Sequence, residues 1–247
     1  MKPSPLEGRP WQMHEALRQH LELESFFTGF SLRSPPSPAL NPQAPPAQSQ
    51  DPTQDLVALA TQITQCQKCT LCSTRRQAVP GEGNPQARLM FVGEAPGATE
   101  DRQGRPFVGN AGQLLDKIIQ ACGLRREDVY IANILKCRPP GNRDPLPEEI
   151  AQCMPYLKEQ IALIAPEVIV ALGAHAARVL LDKSEGIGAL RGRFWSFTVA
   201  PGTTPIKVMP TYHPAYLLHN YSTDNRKRVW EDMKKVMSHL GMPIPLL

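Results

Sequence analysis

The sequence lacks the features that would place it in a membrane or on a secretory route. No stretch approaches the roughly 20 consecutive apolar residues of a membrane-spanning helix, and no apolar N-terminal segment precedes a cleavage site. We therefore expect a cytoplasmic protein with no membrane contact. In that reducing compartment, the 6 cysteines are more typical of a metal or redox site than of a disulfide framework.

The chain also lacks an internal repeat and the glycine-rich signatures G-x-G-x-x-G and P-loop, which argues against a nucleotide-binding protein. Nor is one charge in strong excess, since 27 Lys and Arg stand against 23 Asp and Glu, for a formal net charge of +4. This balance permits a polyanionic partner without indicating one. A nucleic-acid interface would therefore have to lie in local basic clusters.

Proline is abundant, with 26 residues, more than a uniformly folded domain carries. Residues 34–55 are rich in proline, alanine, serine and glutamine and are predicted to be a linker, because this composition buries too little apolar surface to fold. Residues 1–33 form an N-terminal extension. Its segment 11–27 has loosely helical apolar spacing and is either an extension that packs weakly or a short amphipathic helix that binds a protein partner. Residues 56–247 are predicted to be the catalytic domain.

Within that domain, short apolar runs alternate with segments of helical periodicity. Strands are predicted at 88–93, 128–135, 167–172, 194–199 and 206–209, and helices at 111–122, 148–164, 174–181 and 225–240. This alternation predicts an α/β fold with a mainly parallel sheet covered by helices on both faces. Ligands of such folds bind beyond the carboxyl ends of the strands. Three suggestive segments follow strands there, namely GEAPG, residues 133–143 and TYHPAYLL, so one composite site is expected.

Four of the cysteines form a split pattern. Cys66 and Cys69 make a C-x2-C pair, and Cys137 and Cys153 stand far downstream. Four thiolates suit an iron–sulfur cluster or zinc.

These segments resemble the family 4 uracil-DNA glycosylases, the iron–sulfur branch of the uracil-DNA glycosylase superfamily. The resemblance covers about residues 56–240 through GEAPGATED, GRPFVGNAGQLL, NILKCRPPGNRDP, the downstream Cys153, LRGRF and PTYHPAYLL. It implies a three-layer α/β/α sandwich and hydrolysis of the bond between uracil and deoxyribose in DNA. It also implies a 4Fe-4S cluster on Cys66, Cys69, Cys137 and Cys153, which favours iron over zinc, while Cys72 and Cys122 are expected to be buried or partly buried thiols.

The same resemblance assigns the residues that bind uracil. Phe107 is expected to stack on the flipped base, and the amide of Asn133 to donate to uracil O4 and accept from N3–H. His213 is expected to stabilise the departing uracil anion at O2, and the backbone of Ala95 to help bind uracil. Outside the motifs, a core phenylalanine or a turn-capping asparagine would be the ordinary interpretation.

The residue that orients the hydrolytic water is less evident, because the better-known family 1 enzymes have an aspartate where this chain has Ala95. Glu94, Glu100 and Asn142 are the candidates to orient water or stabilise an oxocarbenium-like sugar, and pocket shaping is the favoured role for both glutamates. No lysine stands in an evident catalytic motif, so no lyase step is predicted. The remaining histidines are expected to be core or surface residues: His14, His20, His175, His219 and His239.

Five basic residues are expected to contact DNA phosphates: Lys136, Arg138, Arg143, Arg191 and Arg193. Tyr216 and Leu217 either wedge into the gap left by the flipped nucleotide or pack at the start of a helix. The overall prediction is a monomeric, monofunctional uracil-DNA glycosylase that acts on single- or double-stranded DNA. The alternative is a non-catalytic iron–sulfur DNA-binding or polymerase-associated module.

Overall fold

The computed structural model describes residues 52–220 and 222–245. The expectations for the N-terminal extension and for most of the linker therefore lie outside the described residues. The predicted end of the linker at residue 55 is corrected, because helix α1 already begins at Pro52. Proline suits a first helical position, and Leu56, Leu59 and Ile63 form the buried face of this helix.

Six strands of the described region form one sheet in the order β1–β3–β2–β4–β6–β5. Their bounds are β1 Glu82–Gly83, β2 Leu89–Gly93, β3 Tyr130–Asn133, β4 Val168–Leu172, β5 Trp195–Phe197 and β6 Ile206–Thr211. The four inner strands run parallel, and β1 and β5 are antiparallel edge strands. Every residue of β2 and β4 is buried, as expected for strands that are covered on both faces. The predicted mainly parallel sheet is confirmed.

Helices cover both faces of the sheet. Their bounds are α1 Pro52–Gln65, α2 Ala98–Gln103, α3 Asn110–Ala121, α4 Pro147–Ile164, α5 Ala174–Leu181, α6 Ile187–Leu190, α7 Pro214–His219 and α8 Thr223–His239. One hydrophobic cluster packs α3 and α8 on one face, with Leu115 and Met233 among its members. A second packs α4 and α5 on the other face, with Leu157 and Ala177. The result is the expected three-layer α/β/α sandwich, and none of its described helices is long and apolar enough to cross a bilayer.

The parallel strands bring the polar segments to one edge of the sheet. Glu94 follows β2, Asn133 ends β3, and His213 lies just beyond β6. The strand predicted to reach residue 135 ends earlier, at Asn133, although the amides of Ile134 and Leu135 still donate to the carbonyls of Gly93 and Glu94, at 2.9 Å each. Neighbouring loops from distant parts of the sequence are thereby held against each other.

Candidate active site and cysteine cluster

A cavity of about 340 Å³ opens at this carboxyl edge of the sheet. Its lining contains every residue that the sequence analysis assigned to uracil binding or catalysis: Glu94, Ala95, Glu100, Phe107, Asn133, Asn142 and His213. Arg143 lines it as well, together with small residues that the motifs did not single out, such as Pro139 and Ala215. The fold thus brings together residues that are far apart in the sequence.

Asn133 presents an unpaired acceptor to this cavity. The residue is 2% exposed, and among the described residues its Oδ1 atom has no hydrogen-bond partner. A buried acceptor without a partner costs about 1–3 kcal/mol, so a ligand with a matching donor gains from meeting it. Gly93 makes this arrangement possible, because a Cβ atom there would lie 2.4 Å from Asn133 Oδ1 and 2.5 Å from Phe107 Cζ.

Phe107 is held in an unusual backbone conformation. Its φ is +50°, a left-handed value that non-glycine residues adopt at a cost and that often marks functional positions. The Arg126 guanidinium donates to Phe107 O at 3.1 Å and also to Pro106 O. At Gly112, a Cβ atom would lie 1.9 Å from Phe107 O. Only glycine at this position therefore leaves room for the backbone of Phe107. The ring is therefore fixed beside Asn133 by its surroundings.

Glu100 secures the loop that follows Phe107. The residue is 9% exposed, and its Oε1 atom accepts from the backbone N–H groups of Val108 at 2.9 Å and Gly109 at 2.8 Å. These amides lead into the N-terminus of α3, where a carboxylate is favourable. With one oxygen occupied in this way, Glu100 has the contacts of a residue that shapes the pocket.

His213 has a defined tautomer and a depressed basicity. Its Nδ1 atom accepts from the backbone N–H of Ala215 at 3.1 Å, so the ring proton resides on Nε2. Burial lowers the pKa of His213 to about 4, and the imidazole is therefore neutral at pH 7. Its ring centroid lies 5.7 Å from that of Phe107. The site thus offers one neutral N–H donor beside an aromatic face.

Glu94 is paired with a histidine that the sequence analysis passed over. Its Oε2 atom lies 2.7 Å from His175 Nδ1, and His175 Nε2 lies 3.5 Å from Asp144 Oδ2. Burial raises the pKa of Glu94, and His175 opposes that increase. The interpretation of His175 as an ordinary core or surface residue is therefore corrected. Its position just after β4, at the carboxyl edge of the sheet, is a signal that could have found it.

Asn142 and Arg143 lie on the loop between β3 and α4 and line the same cavity as Glu94. Asn142 has a φ of +56°, and its Oδ1 atom accepts from Arg138 Nε at 2.7 Å. Arg143 forms a two-pronged pair with the buried carboxylate of Glu149, at 2.6 and 3.0 Å. These contacts hold the loop on the N-terminus of α4.

Two of the predicted phosphate contacts are wrong. Lys136 is 1% exposed, and its ammonium donates to Asn133 O at 2.9 Å and to Gln160 Oε1 at 2.6 Å, inside the protein. The side chain of Arg191 is 14% exposed and pairs with Asp232 at 2.7 Å. Lys136 is thus enclosed by protein, and Arg191 is engaged by a buried carboxylate, so neither side chain is placed to contact a phosphate.

The other residues expected to contact DNA differ in their exposure. Arg193 is exposed over the ring of Trp195 at 4.2 Å, so its role stays a prediction, as do those of Arg138 and Arg143. Leu217 is 3% exposed, which excludes it as a wedge, whereas Tyr216 is 42% exposed.

The four predicted cysteine ligands line a second, small cavity beneath the β3–α4 loop. Cys66, Cys69, Cys137 and Cys153 all border it, and Cys72 does so too. All 6 cysteines are free thiols. Burial raises the pKa of Cys137 to about 11, so this thiol needs a nearby cation to exist as a thiolate.

Arg75, which the sequence analysis did not single out, already supplies one cation. Its Nη1 atom donates to Cys137 Sγ at 3.0 Å, and its Nη2 atom donates to the carbonyls of Thr64 and Cys66, at 2.9 Å each. The guanidinium therefore joins the end of α1 to the loop that carries Cys137.

The spacing of the thiols bears on the kind of metal they suit. Within the described residues, one group of three ligand side chains has ligand atoms within 4.8 Å of one another, and it is Glu94, Asp144 and His175, not a cysteine set. A tetrahedral zinc ion with Zn–S bonds of about 2.3 Å would hold its sulfurs about 3.8 Å apart. In the described part of the chain, no three cysteines have all their sulfur atoms within 4.8 Å of one another.

Comparison with known proteins agrees with this geometry. The family model of the Uracil DNA glycosylase superfamily matches residues 80–234. A Type-4 uracil-DNA glycosylase of Saccharolobus solfataricus is 48% identical over 198 residues, which cover 78% of this chain and 90% of that protein. A protein of the same name from Thermotoga maritima is 46% identical over 183 residues, covering 74% of this chain and 93% of that protein. The chain therefore belongs to the type-4 uracil-DNA glycosylases of the uracil DNA glycosylase superfamily.

Proposed function

We propose that this protein hydrolyses the bond between uracil and deoxyribose in DNA, releasing uracil and leaving an abasic site for base excision repair. The observation that carries this proposal is the buried Oδ1 atom of Asn133, which has no hydrogen-bond partner among the described residues and lines one cavity with Phe107 and His213. The relatives named type-4 uracil-DNA glycosylases support the same activity.

The cavity suits uracil better than cytosine. A base must leave the stack to reach it, and Phe107 offers a ring face on which a flipped base can lie. Asn133 Oδ1 accepts from uracil N3–H while the amide N–H donates to O4. Cytosine has an acceptor at N3 and a donor at N4, so it would leave the buried amide mispaired. Mismatches of this kind support discrimination by about 10⁴-fold or more.

The reaction needs charge stabilisation more than a strong base. As the C1′–N1 bond breaks, its electron pair leaves with uracil, and the neutral His213 donates its Nε2–H to the developing anion at O2. Water then forms the new bond at C1′ and gives up a proton, so the products are uracil and an abasic sugar. Lys136, whose ammonium is engaged by Asn133 O and Gln160, is no candidate for a Schiff base, in keeping with hydrolysis by water alone.

We infer that Cys66, Cys69, Cys137 and Cys153 hold a 4Fe-4S cluster. Four cysteines on one cavity, together with the likeness to proteins named type-4 uracil-DNA glycosylases, support this assignment. When bound, the cluster ties the end of α1 to α4 and to the loop after β3. Arg75 and Lys136 lie against this site and can offset the negative charge of the thiolates. The cysteines and these two basic residues thus keep Asn133 and the following loop in place.

The test is incubation with labelled single-stranded, U:G and T:G oligonucleotides, with and without alkali, beside an Asn133→Ala variant. We expect breaks that depend on alkali, occur at uracil alone and disappear in the variant. Breaks without alkali would show a lyase step. Retention of DNA in a gel shift without any cleavage would reject the glycosylase in favour of a binding module.

A further inference from the structure

Three polar residues in the cavity could orient the hydrolytic water, and each of them already has a partner in the protein. The carboxylate of Glu100 accepts two backbone N–H groups in the loop after Phe107. The carbonyl oxygen of Asn142 accepts from Arg138 Nε. Glu94 differs from both, because its carboxylate is paired with a titratable side chain that lies outside the uracil-binding set.

The Glu94–His175 contact is built by the fold. Glu94 follows β2 and His175 follows β4, two strands that are paired in parallel in the sheet. The carbonyl of Glu94 accepts from Leu135 N at 2.9 Å, which fixes its backbone, while His175 lies in the first turn of α5. The two side chains therefore meet at 2.7 Å, one from the residue directly after a buried strand and the other from the first turn of a helix.

We propose that His175 is a positioning residue, which holds Glu94 Oε2 so that Glu94 Oε1 orients the hydrolytic water towards C1′. This inference rests on the proposed uracil-DNA glycosylase activity and adds to it a residue outside the uracil contacts. The arrangement follows a general pattern, in which one side chain acts on the reactants, a second side chain orients the first, and a third orients the second. Here the third group is Asp144, 3.5 Å from His175 Nε2.

The charges around Glu94 predict opposite effects of its two neighbours. His175 lowers the pKa of Glu94, whereas Asp144 raises it. The other charged or titratable groups that line the cavity are Glu100, His213 and Arg143, and Arg143 is paired with Glu149. In the proposed role, the carboxylate form of Glu94 is the active one. The acid limb of the pH–rate profile should therefore move to higher pH when His175 is removed, and to lower pH when the charge of Asp144 is removed.

The experiment measures single-turnover excision and substrate affinity against pH for the full chain and four variants: His175→Leu, His175→Asn, Asp144→Asn and His239→Asn. For His175→Leu we expect a fall in rate on the order of 10- to 100-fold, unchanged affinity for uracil-containing DNA, and an acid limb at higher pH. His175→Asn keeps a donor near the Nδ1 position and should recover part of the rate. Asp144→Asn should move the acid limb to lower pH, and His239→Asn, on an exposed residue remote from the cavity, should match the wild type.

The outcomes separate this inference from the proposed activity. If the wild type excises uracil and His175→Leu keeps its rate and pH profile, the positioning role is wrong and the glycosylase stands. A wild type that excises nothing removes both. Loss of wild-type rate with EDTA, restored by a divalent cation, would replace the positioning role with metal binding by Glu94, Asp144 and His175.

Discussion

Asn133 ends β3 at the wall of the cavity that the neutral ring of His213 also lines, and within the described part of the chain its acceptor oxygen has no hydrogen-bond partner. Each side chain depends on burial for its chemistry. The buried Oδ1 atom costs stability in the free protein, and in the proposed reaction that cost is relieved by the N3–H donor of uracil, which cytosine lacks. The same burial keeps His213 uncharged, so that its N–H donates without carrying a desolvated positive charge.

Gly93→Ala tests how tightly these side chains are packed. The new Cβ atom would lie within 2.5 Å of both Asn133 and Phe107, so one of them must move. We expect excision to fall on the order of 100-fold or more, while the melting temperature changes little. Gly188→Ala is the matched control, because nothing lies within 4 Å of a Cβ atom there. Wild-type excision by Gly93→Ala would contradict the described packing.

The lowered pKa of His213 predicts that the stability of the protein depends on pH. Its folded pKa of about 4 lies below the ordinary value of 6.5, so the unfolded chain binds the proton more readily. The free energy of unfolding should therefore fall as pH drops from about 6.5 to 4, and His213→Gln should lose part of this slope. Chemical denaturation across that range measures it. Equal slopes for the variant and the wild type would indicate that His213 is not buried as a neutral ring.

The segment between α2 and α3 shows how short elements carry the site. Phe107 lies there with a left-handed backbone, stabilised by Arg126 on one side and Glu100 on the other. Arg126 also pairs with Glu82 of β1 and Asp116 of α3, at 2.7 and 2.8 Å. A single guanidinium thus links the edge of the sheet, a helix and the strained residue.

Arg126→Met tests this link. We expect excision to fall on the order of 10-fold or more, because Phe107 loses the donor that holds its carbonyl, and stability to fall by about 1–3 kcal/mol. Arg125→Met is the neighbouring control, since Arg125 is 73% exposed and its ion pairs are at the surface. Equal behaviour of the two variants in excision and denaturation assays would refute the role of Arg126.

At the scale of the whole molecule, the cysteine cavity joins parts of the chain that are distant in sequence. Hydrophobic residues of α1 and α4, including Leu59 and Tyr156, pack around it. Because Lys136 also donates to the carbonyl of Asn133, a loss of order at the cysteines should be transmitted to the uracil site.

Cys153→Ser should remove the cluster, and Cys72→Ser should keep it. We expect the first variant to lose bound iron and visible absorption and to unfold at a lower temperature, since it removes a proposed ligand from α4. Cys72 borders the cavity but lies outside the proposed ligand set, so its variant should retain iron like the wild type. Equal iron loss in both variants, or zinc in place of iron, would overturn the proposed ligand assignment.

Periodicity and motif spacing in the sequence determined much of the predicted fold and of the candidate site. The apolar runs were sufficient for the parallel sheet and for the full extent of α5, and the resemblance identified all seven pocket residues proposed for uracil binding or catalysis. These features are readable because burial repeats with the period of each element. Short elements such as β1 and α6 were missed, because contacts from elsewhere in the chain stabilise them.

The tertiary structure alone decided which charges face solvent and which side chains meet. Lys136 and Arg191 look like DNA contacts in sequence, yet the fold pairs them internally with Gln160 and Asp232. His175 carries no motif, but parallel pairing of β2 and β4 places it against Glu94. The physical reason is that charge is a property of one residue, whereas exposure and pairing depend on residues that are distant in sequence and adjacent in space.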